Sequence, residues 1–209
     1  MLKGLLTLSL AAMFTLSVQL PSSAVKVARL DGFQEAKWGQ SIPTAVTKLG
    51  KKFKLVGYLD DKTPFFRGDF GGYRHCDVYT WFKAAKLYKV RVDIKAQDGK
   101  NTLDIFVDCS NKLDAVYGEP TLKFDYAYYG EEPQAPENEA DEDRWARILG
   151  DVLEAKAYIW RKWTFPDGNE ILIETIRLGD NESASLCVGI SYKSPDMEAA
   201  ADRSTLIDF

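Results

Sequence analysis

Apolar residues recur along this chain with two periods, and their succession outlines a mixed α and β protein. Ile42, Ala45, Val46 and Leu49 stand three and four residues apart, which predicts a helix of about two turns. Ser41 is its expected cap, Pro43 sits in the first turn and Gly50 ends it. Asn101 or Thr102 caps a longer helix through Ile105, Phe106, Cys109, Leu113 and Val116, stopped by Gly118 with Pro120 behind it. Asp141 to Leu153 predicts a third, through Trp145, Ile148, Leu149 and Val152, despite Gly150.

Elsewhere the period is two. Lys54–Tyr58 and Arg67–Tyr73 are strand candidates separated by turn signals at Asp60-Asp61 and Thr63-Pro64. Residues 75 to 96 read as a hairpin with Phe82 facing Lys86. This register sets Val78 opposite Val90, Asp77 opposite Arg91 and His75 opposite Asp93. It also gathers Cys76, Val78, Thr80 and Phe82 on one face with Tyr88, Val90, Val92 and Ile94. Lys123–Tyr129 is another strand, and three more follow as a meander. Asp167-Gly168 supplies the positive φ angles of a type I′ turn, predicting Trp163 opposite Leu172, Arg161 opposite Glu174 and Ile159 opposite Ile176. Leu186–Tyr192 is the last strand, and residues 196–209 form a polar tail.

The expected class is therefore α+β, an antiparallel sheet with short helices packed on one face. The sequence Val46-x-x-Leu49-Gly50 returns as Leu113-x-x-Val116-Tyr117-Gly118, 68 residues later, each time before strands. Residues 25–195 read either as two related halves, 33–100 and 101–195, or as one continuous layered domain.

The N-terminus changes the picture of where such a domain works. Lys3 precedes a mostly apolar run from Leu5 to Leu20, and Ser22-Ser23-Ala24 offers small residues for cleavage, so residues 1–24 read as a secretory signal peptide. The run is shorter than the roughly 20 apolar residues of a membrane span, and no Cys follows for lipid attachment. A periplasmic or secreted protein without a stable membrane anchor is expected. Of 27 basic side chains only Lys3 falls in the leader, where no acid lies, so the remainder is more acidic than the formal net charge of −4. Without a basic footprint, nucleic acid is excluded as a partner.

Cys76, Cys109 and Cys187 are far apart and form no C-x-x-C, which removes zinc-knuckle and thioredoxin motifs. An oxidising compartment favours a disulfide. Cys76 and Cys109 both point to the core in the predicted elements and are the favoured pair, with Cys187 as the free thiol.

Candidate chemistry is sparse. His75 is the single histidine, beside Cys76 but on the opposite strand face, so neither a Cys-His dyad nor a Ser-His-Asp triad forms around it. Gly68 and Gly71-Gly72 lack the Gly-Lys-Ser/Thr of a phosphate loop. Residues 130–143 carry seven acidic side chains, two prolines and no basic residue, a surface loop without the spacing of a calcium site. No catalytic residue, cofactor or metal is expected. Tyr126, Tyr128 and Tyr129 precede this loop, Trp160 lies on a later strand, and Arg161 with Glu174 is a candidate cross-strand pair; these six are the candidate partner-binding residues.

Phe33-x4-Trp38-Gly39-x-Ser41-x4-Val46-x2-Leu49-Gly50 resembles the opening of small exported α+β modules typified by the β-lactamase inhibitor protein, and of small outer-membrane lipoproteins that assist barrel assembly. Val78-Tyr79-x-Trp81-Phe82, Leu87-Tyr88-x-Val90 and Leu113-x2-Val116-Tyr117-Gly118-Glu119-Pro120 resemble elements of bacterial periplasmic proteins of similar design. The resemblance implies binding, inhibition or scaffolding without a cofactor. This chain departs from it in lacking the lipid-attachment Cys and in carrying the 130–143 insertion.

The expected function is a non-catalytic periplasmic module that binds or scaffolds another envelope or secreted protein. The alternatives are an inhibitor that places a loop such as 130–143 in the active site of a periplasmic or foreign hydrolase, and an enzyme of unrecognised type.

Overall fold

In the computed structural model, residues 29–60, 63–136, 139–179 and 185–199 are described. The expected leader 1–24 with its expected cleavage site, and the tail from residue 200, lie outside the described residues. The chain is a mixed α and β protein dominated by one antiparallel sheet. A two-residue pair, β1 (Gly32–Phe33) and β2 (Ala36–Lys37), precedes helix α1 (Ile42–Leu49). Four strands follow: β3 (Lys54–Leu59), β4 (Thr63–Phe70), β5 (Tyr73–Lys83) and β6 (Lys86–Lys95). Helix α2 (Thr102–Tyr117) leads to β7 (Leu122–Tyr128), helix α3 (Asp141–Leu153), β8 (Ala157–Thr164), β9 (Glu170–Leu178) and β10 (Ser185–Lys193). The eight strands run in the order β3-β4-β5-β6-β10-β9-β8-β7, so each meander ends at the centre, where β6 pairs with β10.

Local chemistry accounts for the helix boundaries. Asn101 accepts from the Asp104 backbone N–H at 3.0 Å while Asp104 accepts from the Asn101 N–H at 3.1 Å, a reciprocal capping box. Gly118 ends α2 at a φ of 81°, a region open chiefly to glycine. Ser41 occupies the cap position of α1, but its hydroxyl meets the Thr44 hydroxyl at 3.0 Å and makes no bond to the backbone.

One core runs through the protein. On the strands it takes Val78, Val90, Val92, Ile94, Ile159, Trp163, Ile171, Ile173, Val188, Ile190 and Tyr192. Ala45 and Leu49 of α1, Ile105, Phe106 and Leu113 of α2, and Ile148, Leu149 and Val152 of α3 join the same cluster. Leu30 ties the first residues to the end of the sheet, since its carbonyl accepts from Trp38 Nε1 at 2.7 Å and Asn169 Nδ2 at 2.8 Å.

Three expectations are corrected by the strand registers. Arg67–Tyr73 is not one strand: Gly71 and Gly72, at φ of 61° and 91°, turn the chain between β4 and β5. Thr63-Pro64 is the start of β4 rather than a turn, where the Pro64 carbonyl accepts from Thr80 Oγ1 at 2.7 Å. In the β5–β6 hairpin the loop is Ala84-Ala85, both at positive φ, and a bulge follows at Trp81/Phe82. Val78 therefore opposes Val92, and Asp77 opposes Asp93 rather than Arg91. Because this slip is by two, Cys76 to Thr80 and Val90 to Ile94 keep the faces expected, but past the bulge the alternation of β6 shifts and Leu87, not Tyr88, is buried in the core.

The β8–β9 register differs by one, with the opposite consequence. Gly168 N–H donates to the Phe165 carbonyl at 2.9 Å, and Phe165 N–H to the Asn169 carbonyl at 2.9 Å. Pro166-Asp167-Gly168 is thus a three-residue loop with Gly168 at φ 76°, suited to the φ that proline imposes. Trp160 opposes Glu174 and Arg161 opposes Ile173. An odd slip exchanges the two faces of a strand. Arg161 and Glu174 are not a cross-strand pair.

Candidate functional site

The residues that alternate with the core positions form a second, chemically different set on the same strands. At its centre β10 contributes only small side chains, Cys187, Gly189 and Ser191, all buried. On one side β6 opposes them with Lys95, Asp93 and Arg91, and on the other β9 opposes them with Ile176, Glu174 and Leu172. Beyond these, β5 adds Tyr79 and Trp81, and β8 adds Trp160. A Cβ on Gly189 would lie 2.1 Å from Ile176 Cδ1, so glycine is needed for Ile176 to fold across the floor.

Two aromatic arrays flank this floor. Phe65 stacks on Tyr79 at 5.0 Å between ring centroids, and Tyr79 meets Trp81 at 6.1 Å. Arg91 covers both, 5.1 Å from the Tyr79 ring and 5.6 Å from the Trp81 ring, and Lys89 lies 5.0 Å over Trp81. Across the floor Tyr158 stacks on Trp160 at 5.3 Å and meets Tyr129 in a tilted contact at 5.1 Å. The Tyr129 hydroxyl accepts from the Arg177 backbone N–H at 3.0 Å. Tyr79, Trp81, Tyr158 and Trp160 are all half-buried, so part of each ring is presented to solvent.

The charges between the arrays are unequally satisfied. Asp77 takes Arg67 at 2.7 Å and Lys95 at 3.2 Å. Asp93 accepts from Arg91 Nη2 at 3.0 Å, and its other oxygen lies 2.8 Å from Arg91 Nε at an angle too poor for a second hydrogen bond. Burial pushes the Asp93 carboxyl above its ordinary range, against the pull of Arg91. Glu174 is likewise raised by burial, with Lys89 and Arg91 opposing, and the Lys89 ammonium is lowered by burial and then by Arg91. Among the described residues Lys89 and Glu174 close no direct ion pair. Two half-buried charges of opposite sign therefore stand on opposite sides of the small-residue floor.

Of the six residues expected to meet a partner, Tyr129, Trp160 and Glu174 belong to this set. Arg161 is elsewhere: its guanidinium donates to both Asp114 carboxylate oxygens at 3.3 and 3.0 Å and to the Lys123 carbonyl at 2.9 Å, between the rings of Phe124 and Trp163. Tyr126 and Tyr128 sit with core neighbours Ile159 and Ala157 and hold α3. Tyr128 donates to Asp151 at 2.8 Å and accepts from Arg147 Nη1 at 2.9 Å, and Arg144 donates to the Tyr126 hydroxyl. Arg147 also grips both Glu139 oxygens at 2.9 and 3.0 Å. One acid of the 130–143 loop is thereby anchored to α3. Phe65, Tyr79, Trp81, Lys89, Arg91 and Tyr158 were not anticipated, although the outer alternation of the 75–96 hairpin carried four of them.

The remaining chemistry is distributed. Cys76, Cys109 and Cys187 are buried free thiols, and burial raises them to about 11, about 12 and about 12. Cys76 Sγ lies 3.5 Å from the Tyr73 carbonyl, and Cys109 lies by the hydroxyl of the same tyrosine. His75 is exposed at φ 55°. A mostly apolar cavity of about 230 Å³ lies among Phe33, Phe70, Cys109, Leu113 and Tyr192. The amine at its rim, Lys112, already donates to Asp108 at 2.7 Å and the Gly71 carbonyl at 2.8 Å. Among the described residues no three His, Cys, Asp or Glu side chains are placed to hold a metal ion, and no helix is long and apolar enough to cross a membrane.

No family model, curated protein or solved structure matches this chain.

Proposed function

We propose that the chain is a non-catalytic periplasmic module that binds or scaffolds another envelope or secreted protein through the set of outer strand positions just described. In this reading the helices pack on one face of the sheet and leave the other to the partner. Residues 25–195 then act as one domain whose halves, 33–100 and 101–195, meet at β6 and β10. The observation that carries the reading is the pair of half-buried aromatic arrays around a floor of small side chains. Half-exposed Trp and Tyr rings offer large contact area at little conformational cost, and they dominate protein-binding hot spots. Lys89 and Glu174, lacking direct ion pairs here, would find them in a partner segment that carries both signs of charge.

The 130–143 loop supports a second reading, as a hydrolase inhibitor, because the Arg147–Glu139 contact at 2.9 Å gives that loop a fixed base. A Cys76–Cys109 disulfide, made after export, is compatible with either reading.

The test is quantitative retention of proteins from the cell envelope on the immobilised chain and on its Trp81→Ala and Trp160→Ala variants. One saturable, stoichiometric partner is expected, held about thirtyfold more weakly by each variant, the effect of a hot spot of about 2 kcal/mol. Equal retention by both variants would refute the proposed surface, and loss on changing 130–143 alone would favour the inhibitor.

A further inference from the structure

The outer edge of β3 is unlike any other exposed part of the described chain. Of eight large hydrophobic side chains that are exposed, four fall within its six residues: Leu55 at 36%, Val56 at 51%, Tyr58 at 51% and Leu59 at 41%. β3 ends the sheet, with β4 on one side and no strand on the other. Its backbone is partly turned outwards. The Pro64 carbonyl points to Thr80 on β5, so Tyr58, the β3 partner of Pro64, occupies a non-hydrogen-bonded pair on the β4 side. Its own N–H and C=O face away from the sheet. The bulge between Leu55 and Gly57 leaves Val56 without a partner on β4.

Unpaired strand edges are templates for another strand, and natural proteins blunt them with charge, proline or cover. β7, at the opposite edge, follows that rule. It carries Lys123 and Asp125, and its apolar Phe124 is held by Arg161, Phe106 and Trp145. β3 carries one charge, Lys54, and one bulge, but its four apolar side chains are left exposed, and Gly57 has nothing within 4 Å of where a Cβ would stand.

We infer that β3 pairs antiparallel with β3 of a second copy about a two-fold axis at Gly57. The sequence Lys54-Leu-Val-Gly-Tyr-Leu-Asp60 is self-complementary about that glycine. Leu55 meets Leu59, Val56 meets Tyr58, Gly57 meets itself, and Lys54 at the start of β3 comes beside Asp60, the turn residue at φ 52° that follows its end. The Lys54–Asp60 pair forms twice, once on each side of the axis, and each exposed apolar side chain finds another. Moving the axis to Tyr58 would set Asp60 against Val56 and remove both ion pairs, so cross-strand chemistry selects one register. Such a contact is isologous and closes at two copies. It joins the two sheets edge to edge and leaves the proposed partner-binding positions of both free.

The axis supplies the test. Gly57 sits in open space without positive φ, so Gly57→Glu and Gly57→Lys leave the folded chain intact, as unchanged far-ultraviolet circular dichroism and melting temperature will verify. Sedimentation velocity of the full chain at concentrations up to about 100 µM should show a concentration-dependent monomer–dimer equilibrium. Each variant alone sets like charges face to face and should weaken self-association by about tenfold or more. An equal mixture of the two variants should restore a dimer at least as tight as the unmodified one. Lys54→Asp should weaken it too, and adding Asp60→Lys to the same chain should recover it. A chain that stays monomeric throughout this range overturns the inference and leaves β3 to a foreign strand. A dimer indifferent to both Gly57 variants, or a mixture that fails to reassociate, also overturns it.

Discussion

Adjacent residues on β9 illustrate two kinds of surface made by one strand. Ile171 and Ile173 are fully buried and join branched aliphatic neighbours from β10, α2 and α3. Leu172, Glu174 and Ile176 between them are half-buried and face charges and rings. On the first set almost any apolar side chain of the right volume serves, and the stabilisation is that of area removed from water. On the second, burial raises Asp93 and Glu174 and lowers Lys89, so the folded chain carries desolvated charge at a cost to its own stability. The core positions hold the fold, and the outer positions carry chemistry that the fold does not need.

Substitutions on the two sets can break that division. Ile173→Ala, at a site with no exposure, should cost about 3 kcal/mol in urea unfolding. Arg161→Ala should follow at about 2 kcal/mol, because it strands the Asp114 carboxylate and unstacks Phe124 and Trp163. Trp160→Ala should cost less than about 1 kcal/mol of stability while removing most partner retention. If Trp160 proved as costly to stability as Ile173, the outer set would be core and the division would fail.

The two sets also differ in how they respond to pH. The folded pKa of Glu174 is raised above its ordinary 4.5. Its contribution to stability is therefore fully present below that ordinary value and is lost as pH rises through the higher folded value. Glu174→Gln should stabilise the chain slightly at pH 7, and the advantage should vanish in unfolding titrations below the ordinary carboxylate range. A variant less stable at pH 7 would mean that Glu174 is paired in the isolated protein.

Much of the fold was legible in the sequence where local signals agreed. The bounds of α3 match the predicted Asp141–Leu153, and α2 starts at a capping box. The faces of β5 and of Val90 to Ile94 on β6 were readable despite a register two residues away, since an even slip preserves alternation, whereas the bulge that put Leu87 in the core in place of Tyr88 was not. The β8–β9 hairpin was not, because Asp-Gly serves both a two-residue turn and the three-residue loop that Pro166 imposes. That single residue of difference moved Arg161 from the candidate site to Asp114, and it brought Trp160 opposite Glu174. The apolar run through Phe70 and Tyr73 hid the turn at Gly71-Gly72 for a related reason: alternation alone does not mark where a strand reverses.

The candidate site was less legible than the fold because its parts come from strands distant in sequence. Tyr79, Arg91, Gly189, Glu174 and Trp160 become neighbours only through the β6–β10 junction, a pairing that no local pattern announces. Tyr126 and Tyr128 drew attention as an aromatic cluster, yet Arg144, Arg147 and Asp151 commit their hydroxyls to α3.

The most direct test of the outer set as a binding surface is carbene footprinting of the full chain, read by mass spectrometry, alone and saturated with its retained envelope partner. Protection concentrated on Tyr79, Trp81, Lys89, Tyr158 and Trp160 is predicted. Protection confined to residues 130–143, or none on these five side chains, would contradict the account.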